Sequence, residues 1–488
     1  MSAPSPAAAA AAAAPRGAAV PADAAALSAL PFPPHPPLAG SERGSFAEGT
    51  IKKRLPAILD TVLADLAAFA AASPAAAEAA AAASEAVRAM QAEMPADGRV
   101  TPLAAPRGAP AHLREVVEWT NAGVAAWQRR GEKLGFSGGW LGLPWLVVEC
   151  YLYARLATIV AAQPTLAAAD YDPFAKSKLQ ALFKSGAAVG ELAAAGEGLL
   201  KAEAAAAGDA GAAGKLLREV FMYALWGNKT DLSMLVDASK LDVNASVRGA
   251  AAGAGAAGNL LVDEADAAWA ALQAAPAGGR IDIVLDNAGL ELYTDLLLAD
   301  CLIQSGLADT VVLHGKLLPW FVSDTTHRDL GAVISALGAA APPEGMAVPA
   351  GQWDSARRLA ARWGGHLKAG RWQYKDHVFW TTPFPFWWME QAAPDLYSDL
   401  ASSKLVIFKG DLNYRQLAYD CRWPLETPFP SALGPFRPAP LVTLRTLKAD
   451  VMAGLAPGQG AALDAVDPDW QVNGRFGVVQ FAPGGKKA

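Results

Sequence analysis

Oxygen-bearing side chains stand at the ends of two apolar runs in this sequence. Asp286 and Asn287 close the run at 280–287 (RIDIVLDN), and Asp324 lies near the end of a longer stretch at 313–326 (LHGKLLPWFVSDTT). A buried strand that delivers carboxylate and amide oxygens to its carboxyl end builds a site in an open α/β sheet. Two carboxylates and an amide carbonyl are hard oxygen ligands, which suit Mg²⁺ or Mn²⁺. The two segments therefore predict a divalent metal site.

Two later runs, LVIFKGDLNYR and LVTLRTLK, add cations and a glycine turn to this set. An Arg guanidinium offers a planar fork to phosphate oxygens, and a Lys ammonium offers a point charge. A metal beside an anion clamp is the recurring apparatus for moving a phosphoryl group. The further side chains that we expect at the same rim of the sheet are Lys316, Ser323, Gly410, Asp411, Asn413, Arg415, Arg445, Thr446 and Lys448.

Each of these side chains also has a purely structural interpretation. Asp286 could cap the following helix, although the asparagine beside it makes simple capping less favoured. Asp324 could belong to a turn before two threonines, and Asp411 could form an Asx turn within Gly-Asp-Leu-Asn. Arg445 and Lys448 could be a solvated basic end of a strand. The residues alone leave both interpretations open at every position.

Other polar and aromatic residues have competing interpretations too. Glu149 lies in the apolar run WLVVECYLYAR, where a carboxylate is costly unless it has a partner. Its structural interpretation is an ion pair with Arg155 or another arginine, and its functional one is a substrate contact. The aromatic stretch Phe379–Trp388 is more typical of a core than of a stacking platform. His314 and His327 lack an i, i+4 partner for a zinc helix, so both are interpreted as structural or as residues that support the site without touching an ion.

The period of the apolar residues changes near residue 275. Before it, helical spacing dominates; after it come short β-branched runs, the first followed by a helical pattern at Glu291–Gln304. Strands that alternate with helices predict an α/β fold with a mostly parallel sheet and helices on both faces. The predicted strands are Ile281–Leu285, Thr310–His314, Leu405–Lys409 and Leu441–Leu444. The predicted helices before them include Pro56–Phe69 after a separate turn at Thr50–Arg54, then Pro74–Met94, Leu113–Leu134, Trp140–Ile159, Asp172–Phe183, Leu192–Ala207 and Lys215–Leu225.

These patterns divide the chain into three parts. Residues 1–43 are Ala/Pro-rich and are expected to be a disordered tail, and folding is expected to begin near Ser45. Residues 44–275 form a mostly helical region, and residues 276–488 form the α/β domain that would bind metal and phosphate. Three Ala/Gly-rich stretches are predicted to be surface loops: Ala204–Gly214, Gly249–Gly258 and Gly331–Gly351.

Charge and cysteine content exclude some classes of function. The net charge of −6 provides no basic field for nucleic acid. Cys150, Cys301 and Cys421 lie far apart in apolar surroundings, which is typical of reduced thiols in an intracellular, here cytoplasmic, protein. We find no run of about 18 strongly apolar residues, so neither a transmembrane helix nor a membrane partner is expected. Organelle targeting by the N-terminal tail stays open, because acidic residues are scarce there.

Several long motifs resemble those of a known family. They occur in order between Gly44 and Lys448. The chain resembles the damage-control phosphatases, a family of metal-dependent sugar-phosphate phosphatases. Its Arg-Thr-x-Lys signature resembles that of the class with the acidic residue methyltransferase 1-like proteins. The matching segments are GSFAEGTIKKRLP (44–56), PWLVVECYLYARL (144–156), FMYALWGNKTDLS (221–233), IVLDNAGLELYTDLLLADCLI (283–303), HGKLLPWFVSDTT (314–326), FKGDLNYRQL (408–417) and RTLK (445–448).

The resemblance implies a fold, a cofactor and a substrate class. The fold would be a Rossmann-like α/β/α sandwich with an N-terminal helical bundle. A divalent ion, Mn²⁺, Co²⁺ or Ni²⁺ with Mg²⁺ as a further candidate, would bind at Asp286, Asn287 and Asp324. The substrates would be sugar phosphates such as fructose 1-phosphate. The residues expected to contact substrate are Glu149, Asp411, Leu412, Asn413, Tyr414, Arg415, Arg445 and Lys448.

The prediction is therefore a metal-dependent phosphatase that acts on small phosphorylated metabolites, with protein partners unspecified. One alternative is S-adenosylmethionine-dependent O-methylation of protein glutamates, an activity claimed for the same class. The sequence gives it no independent support, since the loop after the first predicted strand is Asp286-Asn287-Ala-Gly and not Gly-x-Gly-x-x-Gly. A second alternative is an inactive scaffold that binds proteins through its helical half.

Overall fold

A mixed sheet lies at the centre of the structure, a computed structural model that describes residues 24–205, 210–227 and 258–485. Within these residues the sheet has seven strands in the order β1-β7-β6-β5-β2-β3-β4. β6 and β7 are antiparallel, and every other neighbouring pair is parallel. The strands are β1 (Leu260–Asp263), β2 (Arg280–Val284), β3 (Thr310–Gly315), β4 (Trp372–Asp376), β5 (Leu405–Lys409), β6 (Leu441–Thr446) and β7 (Gly477–Ala482).

The order of the strands creates a crevice between β2 and β5. From β2 the chain builds the sheet in one direction through β3 and β4, and it then returns to place β5 on the other side of β2. Open α/β sheets bind ligands at such a reversal point, outside the carboxyl ends of the strands. Every residue of β5 and β6 is buried, as expected for parallel strands covered on both faces.

Helices cover both faces of the sheet. The N-terminal half contributes α1 (Ala24–Ala29), α2 (Phe46–Gly49), α3 (Leu55–Ala72), α4 (Ala77–Glu93), α5 (Ala111–Leu134), α6 (Trp145–Ala161), α7 (Pro164–Ala168), α8 (Ala175–Lys184), α9 (Gly186–Ala205) and α10 (Ala210–Gly227). The rest contributes α11 (Ala265–Ala274), α12 (Leu290–Gln304), α13 (His327–Leu337), α14 (Trp353–Lys368), α15 (Met389–Ala392), α16 (Pro394–Leu400), α17 (Gly410–Leu417), α18 (Phe429–Ala432) and α19 (Gln459–Asp464).

The α/β fold class and the four predicted strands are confirmed. The separate turn before α3 is also present, as a π-helical turn at Thr50–Arg54. β1, β4 and β7 escaped prediction because β1 and β4 are short and partly exposed and β7 contains Gln480 in its apolar run. β1 precedes residue 276, so the α/β layer begins earlier than expected. The aromatic stretch Phe379–Trp388 is core, with Trp119 stacked on Phe384 at 5.5 Å.

The N-terminal segment differs from the expected disordered tail where the structure describes it. From residue 24 the chain is folded, and Leu27 and Leu38 are each 1% exposed. Leu38 donates its N–H to the Asp420 carbonyl at 3.0 Å and accepts the N–H of Trp145 at 2.8 Å. Isolated apolar residues and backbone hydrogen bonds hold this segment in place. It therefore lacks the periodic apolar pattern from which a folded segment could have been predicted. Residues 1–23 lie outside the described part of the chain.

Two of the predicted surface loops are also partly wrong. Ala204–Gly214 includes the end of α9 and the start of α10, and Gly331–Gly351 includes most of α13. Alanine is the strongest helix former, so Ala/Gly-rich composition does not by itself predict a loop. The third predicted loop, Gly249–Gly258, lies outside the described residues except for Gly258.

One helical stretch departs from the expectation about membranes. Phe46–Ala72 is long and apolar enough to cross a membrane by length and composition, with a mean hydropathy of 1.7. Its larger apolar side chains, among them Leu55, Leu59 and Val62, face the core, while many of its exposed positions are alanine. The high mean hydropathy of this stretch therefore has two sources: large apolar side chains on the buried face and alanines on the exposed face.

Arg130 on α5 fixes the N-terminal segment to the rest of the fold. Its guanidinium donates to the Leu30 carbonyl and to the Tyr419 hydroxyl, each at 2.8 Å. It also lies 5.0 Å from the ring centroid of Phe32 and 5.1 Å from that of Trp388. A planar fork with several donors suits such a site, and an ammonium does not reproduce it.

We expect Arg130→Lys to lower the free energy of unfolding by about 2–3 kcal/mol, because buried hydrogen bonds to a charged group are lost. Arg129→Lys is the matched control, since Arg129 is exposed, and it should change stability by less than about 0.5 kcal/mol. Urea denaturation followed by tryptophan fluorescence measures both. Equal losses in the two variants would contradict the anchoring role of Arg130.

Candidate active site

A cleft opens where the carboxyl ends of β2 and β5 meet. It encloses about 420 Å³, including the part that is open to solvent. The cleft brings together six of the twelve residues that the sequence placed at strand ends. Its lining consists of Arg54, Trp145, Glu149, Asp286, Asn287, Phe321, Asp324, Asp411, Leu412, Arg415 and Lys448.

The loops after β2 and β3 are joined by backbone hydrogen bonds. Thr325 donates its N–H to the Asp286 carbonyl at 2.8 Å, and Ala288 donates to the Ser323 carbonyl at 2.7 Å. Asn287 and Asp324 therefore pair as an isolated antiparallel bridge. This pairing explains how two carboxylates and an amide from distant segments reach the same wall of the cleft.

Neither of the two carboxylates caps the helix that follows it. The N-cap of α12 is Gly289, not Asp286. The N-cap of α13 is Thr326, which forms a capping box with Asp329, so Asp324 is not the cap either. Asp286 and Asp324 are instead 3% and 1% exposed against the cleft.

The loop before Asp324 adopts a strained backbone. Phe321 and Val322 have φ values of 45° and 70°, in the left-handed region that is unfavourable for a β-branched or bulky residue. Such conformations cost about 1–3 kcal/mol each and persist where the surroundings enforce them. Here the Phe321 ring stacks on Tyr153 at 5.0 Å and lines the cleft. The strained backbone thus places the aromatic ring of Phe321 in the lining of the same cleft as the carboxylates.

Gly410 allows β5 to approach Asp286 closely. Its φ is +78°, and a Cβ at this position would lie 1.7 Å from Oδ2 of Asp286. No other residue type fits, since both the backbone angle and the space exclude a side chain. The turn therefore forms a cradle for the Asp286 carboxylate at the mouth of the crevice.

The donor set in this cradle fits a divalent cation. Asp286 and Asp324 supply carboxylate oxygens and Asn287 supplies an amide carbonyl, the ligands that hard ions prefer. Lys316 lies 3.6 Å from Oδ2 of Asp324, and the Ser323 hydroxyl donates to Oδ1 of Asn287. Partners of this kind orient ligands around an ion.

A second group of side chains, Asp282, His314 and Asp399, also has spacing suited to an ion. Its carboxylates, however, already face Arg280 and Lys375, which contact Asp399 at 2.6 and 2.8 Å. Although burial opposes ionisation, hydrogen bonds from His314 and Arg280 keep the pKa of Asp282 below its usual value. A buried ion-pair network accounts for this group without a metal.

Two carboxylates hold Arg415 at the cleft. It forms a fork with Asp420, at 2.7 and 3.0 Å, and donates to Glu149 at 2.8 Å. The Trp145 ring lies 3.6 Å from the guanidinium carbon. Burial raises the pKa of Glu149, and the positive charges of Arg415 and Arg54 only partly offset that effect. Glu149 thus has the arginine partner that its buried position required, and it also lines the cleft.

Arg445 lies outside the cleft, contrary to its predicted contact with substrate. Its guanidinium is fully buried, donates to Asp411 at 2.8 Å and lies 4.1 Å from the Tyr414 ring centroid. It also donates to the Ala449 carbonyl at 2.9 Å, so it orders the turn that carries Lys448. The Lys448 N–H completes this turn by donating to Asp411 at 3.1 Å.

Asn413 and Tyr414 also face away from the cleft and are not positioned to contact substrate. Nδ2 of Asn413 donates to the carbonyls of Leu285 at 3.1 Å and Lys409 at 2.7 Å, which ties α17 to the end of β2. Tyr414 packs on Phe429 with ring centroids 5.7 Å apart. A helix turns by about 100° per residue, so these two diverge from the face that carries Asp411 and Arg415.

Sequence reasoning missed Arg54, Trp145 and Phe321 among the lining residues. Arg54 ends a π-helical turn far from the sheet in sequence, and nothing local distinguishes it from Lys52 and Lys53. The one available signal was that all three lie within segments that resemble the family motifs.

The N-terminal segment supports the cleft from behind. Leu38 bonds to the backbones of Asp420 and Trp145, and the N–H of Leu146 donates to the Asp420 carboxylate at 3.2 Å. The same carboxylate holds Arg415. The folded part of the segment therefore helps to fix both the guanidinium and the indole that it stacks on.

Comparisons with known proteins agree with this geometry. A family model described as "Damage-control phosphatase ARMT1-like domain" matches residues 50–463. A protein named "Damage-control phosphatase ARMT1" from Xenopus laevis is 36% identical over 460 residues, which are 91% of this chain and 98% of that protein. Its human counterpart of the same name is 34% identical over 459 residues, again 91% and 98%.

Among solved structures, a crystal structure of a DUF89 family protein from Pyrococcus horikoshii covers 70% of this chain and 91% of its own. It is 14% identical with a TM-score of 0.36, a likeness too low to support a functional comparison. The family model and the relatives do support one, because they span most of both chains. The chain therefore belongs to the ARMT1-like damage-control phosphatase family and is a metal-dependent phosphatase.

Proposed function

We propose that the cleft hydrolyses phosphate monoesters of small sugars, fructose 1-phosphate among them, with a divalent ion at Asp286, Asn287 and Asp324. One observation carries this proposal: oxygen ligands for an ion and the cations Arg54, Arg415 and Lys448 line the same cleft.

The cations would bind and polarise the phosphoryl group. Hydrolysis forms a bond between a water oxygen and phosphorus and breaks the bond from phosphorus to the sugar oxygen. Negative charge moves onto the leaving oxygen, and Lys448 and Arg415 stabilise charge near the phosphoryl group. A divalent ion, when bound, lowers the pKa of a coordinated water and polarises a phosphate oxygen. The sugar part of the substrate would then contact the remaining residues that line the cleft.

The remaining wall would select the substrate. The carboxylates of Asp411 and Glu149 can accept hydrogen bonds from sugar hydroxyls. Trp145, Phe321 and Leu412 provide apolar surface that excludes water around the reacting group. We propose Mn²⁺, Co²⁺ or Ni²⁺ as the ion because the resemblance to the family implies them. Mg²⁺ is a further candidate, since a donor set of oxygen alone suits Mg²⁺ or Mn²⁺.

Methyl transfer from S-adenosylmethionine is the weaker proposal. The relatives are named as phosphatases, and the cleft presents Arg54, Arg415 and Lys448 beside the ion site. Positive charge attracts a phosphate dianion and repels a sulfonium. For location we propose the cytoplasm, since Cys150, Cys301 and Cys421 are buried free thiols that suit a reducing compartment.

Asp286→Asn and Asp324→Asn should each lower kcat for phosphate release by about 10³-fold, because an ion ligand of several kcal/mol is lost. Asp376→Asn is the matched control: Asp376 is an exposed carboxylate at the carboxyl end of β4, and its loss should leave the rate unchanged. Phosphate release with added Mn²⁺ measures all three. If both variants fold and release phosphate at near-normal rates, Asp286 and Asp324 have no role in the mechanism.

Substitutions of Lys448 and Arg445 should have different effects, the first on activity and the second on stability. Lys448→Ala should lower kcat/KM by about 10²–10³-fold with little change in stability, because one cation of a charge-stabilising site is lost. Arg445→Ala should lower the free energy of unfolding by about 3–5 kcal/mol, because the buried Asp411 carboxylate loses its partner. Steady-state kinetics and urea denaturation of both variants test this. The reverse pattern would exchange the two roles.

Calorimetry separates the two enzyme activities. Titration with S-adenosylmethionine should give no measurable binding, while inorganic phosphate should bind in the presence of Mn²⁺. A Lys448→Ala variant serves as the control and should bind phosphate more weakly. Micromolar binding of the sulfonium, together with no phosphate release from a sugar-phosphate panel, would favour the methyltransferase.

A further inference from the structure

The amide nitrogen of Asn287 donates to two carboxylates. Nδ2 lies 2.8 Å from Oδ2 of Asp286 and 2.8 Å from Oε2 of Glu291. The backbone N–H of Asn287 donates to the same Glu291 oxygen at 3.3 Å. On the other side of the amide, Oδ1 accepts a hydrogen bond from the Ser323 hydroxyl.

These partners decide which way the amide faces. The nitrogen and oxygen ends of an asparagine are nearly equal in size, so only their hydrogen-bond partners distinguish them. An ionised carboxylate accepts hydrogen bonds and donates none. Carboxylates around one end of the amide therefore fix the nitrogen there and keep the carbonyl oxygen at the other end.

Glu291 is itself held in place by a buried cation. Lys409, the last residue of β5, lies 3.0 Å from Oε1 of Glu291 and 2.8 Å from Oδ1 of Asp295. All three side chains are at most 1% exposed. One Glu291 oxygen thus faces the ammonium of Lys409 and the other faces Asn287.

We propose that Glu291 is a positioning residue that fixes the amide of Asn287 so that its carbonyl oxygen is presented to the divalent ion. This inference rests on the proposed metal site. Glu291 does not line the cleft and would act only through Asn287. A ligand whose oxygen is fixed before the ion binds pays no reorientation cost, and partners that orient ligands typically change ion affinity by about 10–100-fold.

Glu291→Gln should weaken this orientation. A glutamine has only one oxygen, and Lys409, which offers donors alone, takes that oxygen. The glutamine nitrogen then faces Asn287 and cannot accept from its amide, so only Asp286 still holds the nitrogen end. The carbonyl oxygen of Asn287 would no longer be fixed for the ion.

The experiment measures binding of Mn²⁺ without turnover. The full chain is titrated with MnCl₂, and free Mn²⁺ is read from its electron paramagnetic resonance signal. Glu291→Gln should bind Mn²⁺ about 10–100-fold more weakly than the unmodified chain. Asp295→Asn is the matched control, because it also removes one carboxylate from Lys409 but does not contact Asn287. It should bind Mn²⁺ within twofold of the unmodified chain.

Each outcome decides a separate point. Unchanged affinity in Glu291→Gln would overturn the positioning role, and so would an equal loss in Asp295→Asn, which would indicate a general effect of charge. If Glu291→Gln fails to fold, Glu291→Asp replaces it: the charge for Lys409 stays, but the shorter side chain withdraws from Asn287, and affinity should fall about tenfold. Absence of Mn²⁺ binding in the unmodified chain would instead refute the proposed metal site and, with it, this inference.

Discussion

The contact between Gly410 and the Asp286 carboxylate is the constraint on which the site depends. β2 and β5 are neighbours at the point where the strand order reverses, so their loops must share one crevice. A Cβ on residue 410 would lie 1.7 Å from the carboxylate oxygen. Because glycine alone removes this conflict, the loop after β5 can bring Asp411 and Arg415 into the same cleft as the carboxylates. A larger residue would separate the proposed ion ligands from the proposed anion-binding side chains.

The second requirement is compensation of buried charge. Unpaired charges are expensive to bury, and here each one has a specific partner. Glu149 and Asp420 surround Arg415, Asp411 faces Arg445, and Glu291 faces Lys409. Burial raises the pKa of Asp420, and the neighbouring Arg415 opposes that rise. The cleft therefore rests on a fixed electrostatic framework, and its polarity matches a metal beside a phosphate dianion.

Sequence reasoning succeeded where the physical signal was local. Continuous apolar runs identified β2, β3, β5 and β6, and the polar residues at their ends include the ion ligands that we propose. It failed where side-chain direction decides the role. Asn413 and Tyr414 lie between cleft residues in sequence, yet the helix that begins at Gly410 turns them into the core. Arg445 belongs to the Arg-Thr-x-Lys motif, but its guanidinium forms an ion pair with Asp411 and does not line the cleft.

Long-range contacts also escaped prediction. Arg54 reaches the cleft from the N-terminal helices. Leu38 supports the cleft through single backbone hydrogen bonds. Neither role produces a periodic pattern of residues in the sequence. Their roles depend on the assembled fold, whereas the strand ends are encoded in short stretches of sequence.

The most direct test of the central claim is anomalous diffraction at the manganese edge from crystals soaked in MnCl₂. The account predicts one strong peak in the cleft, within coordination distance of Asp286, Asn287 and Asp324. A peak among Asp282, His314 and Asp399, where the same ion also has suitably spaced ligands, would contradict it. So would a crystal with Mn²⁺ at neither group under conditions in which the enzyme releases phosphate.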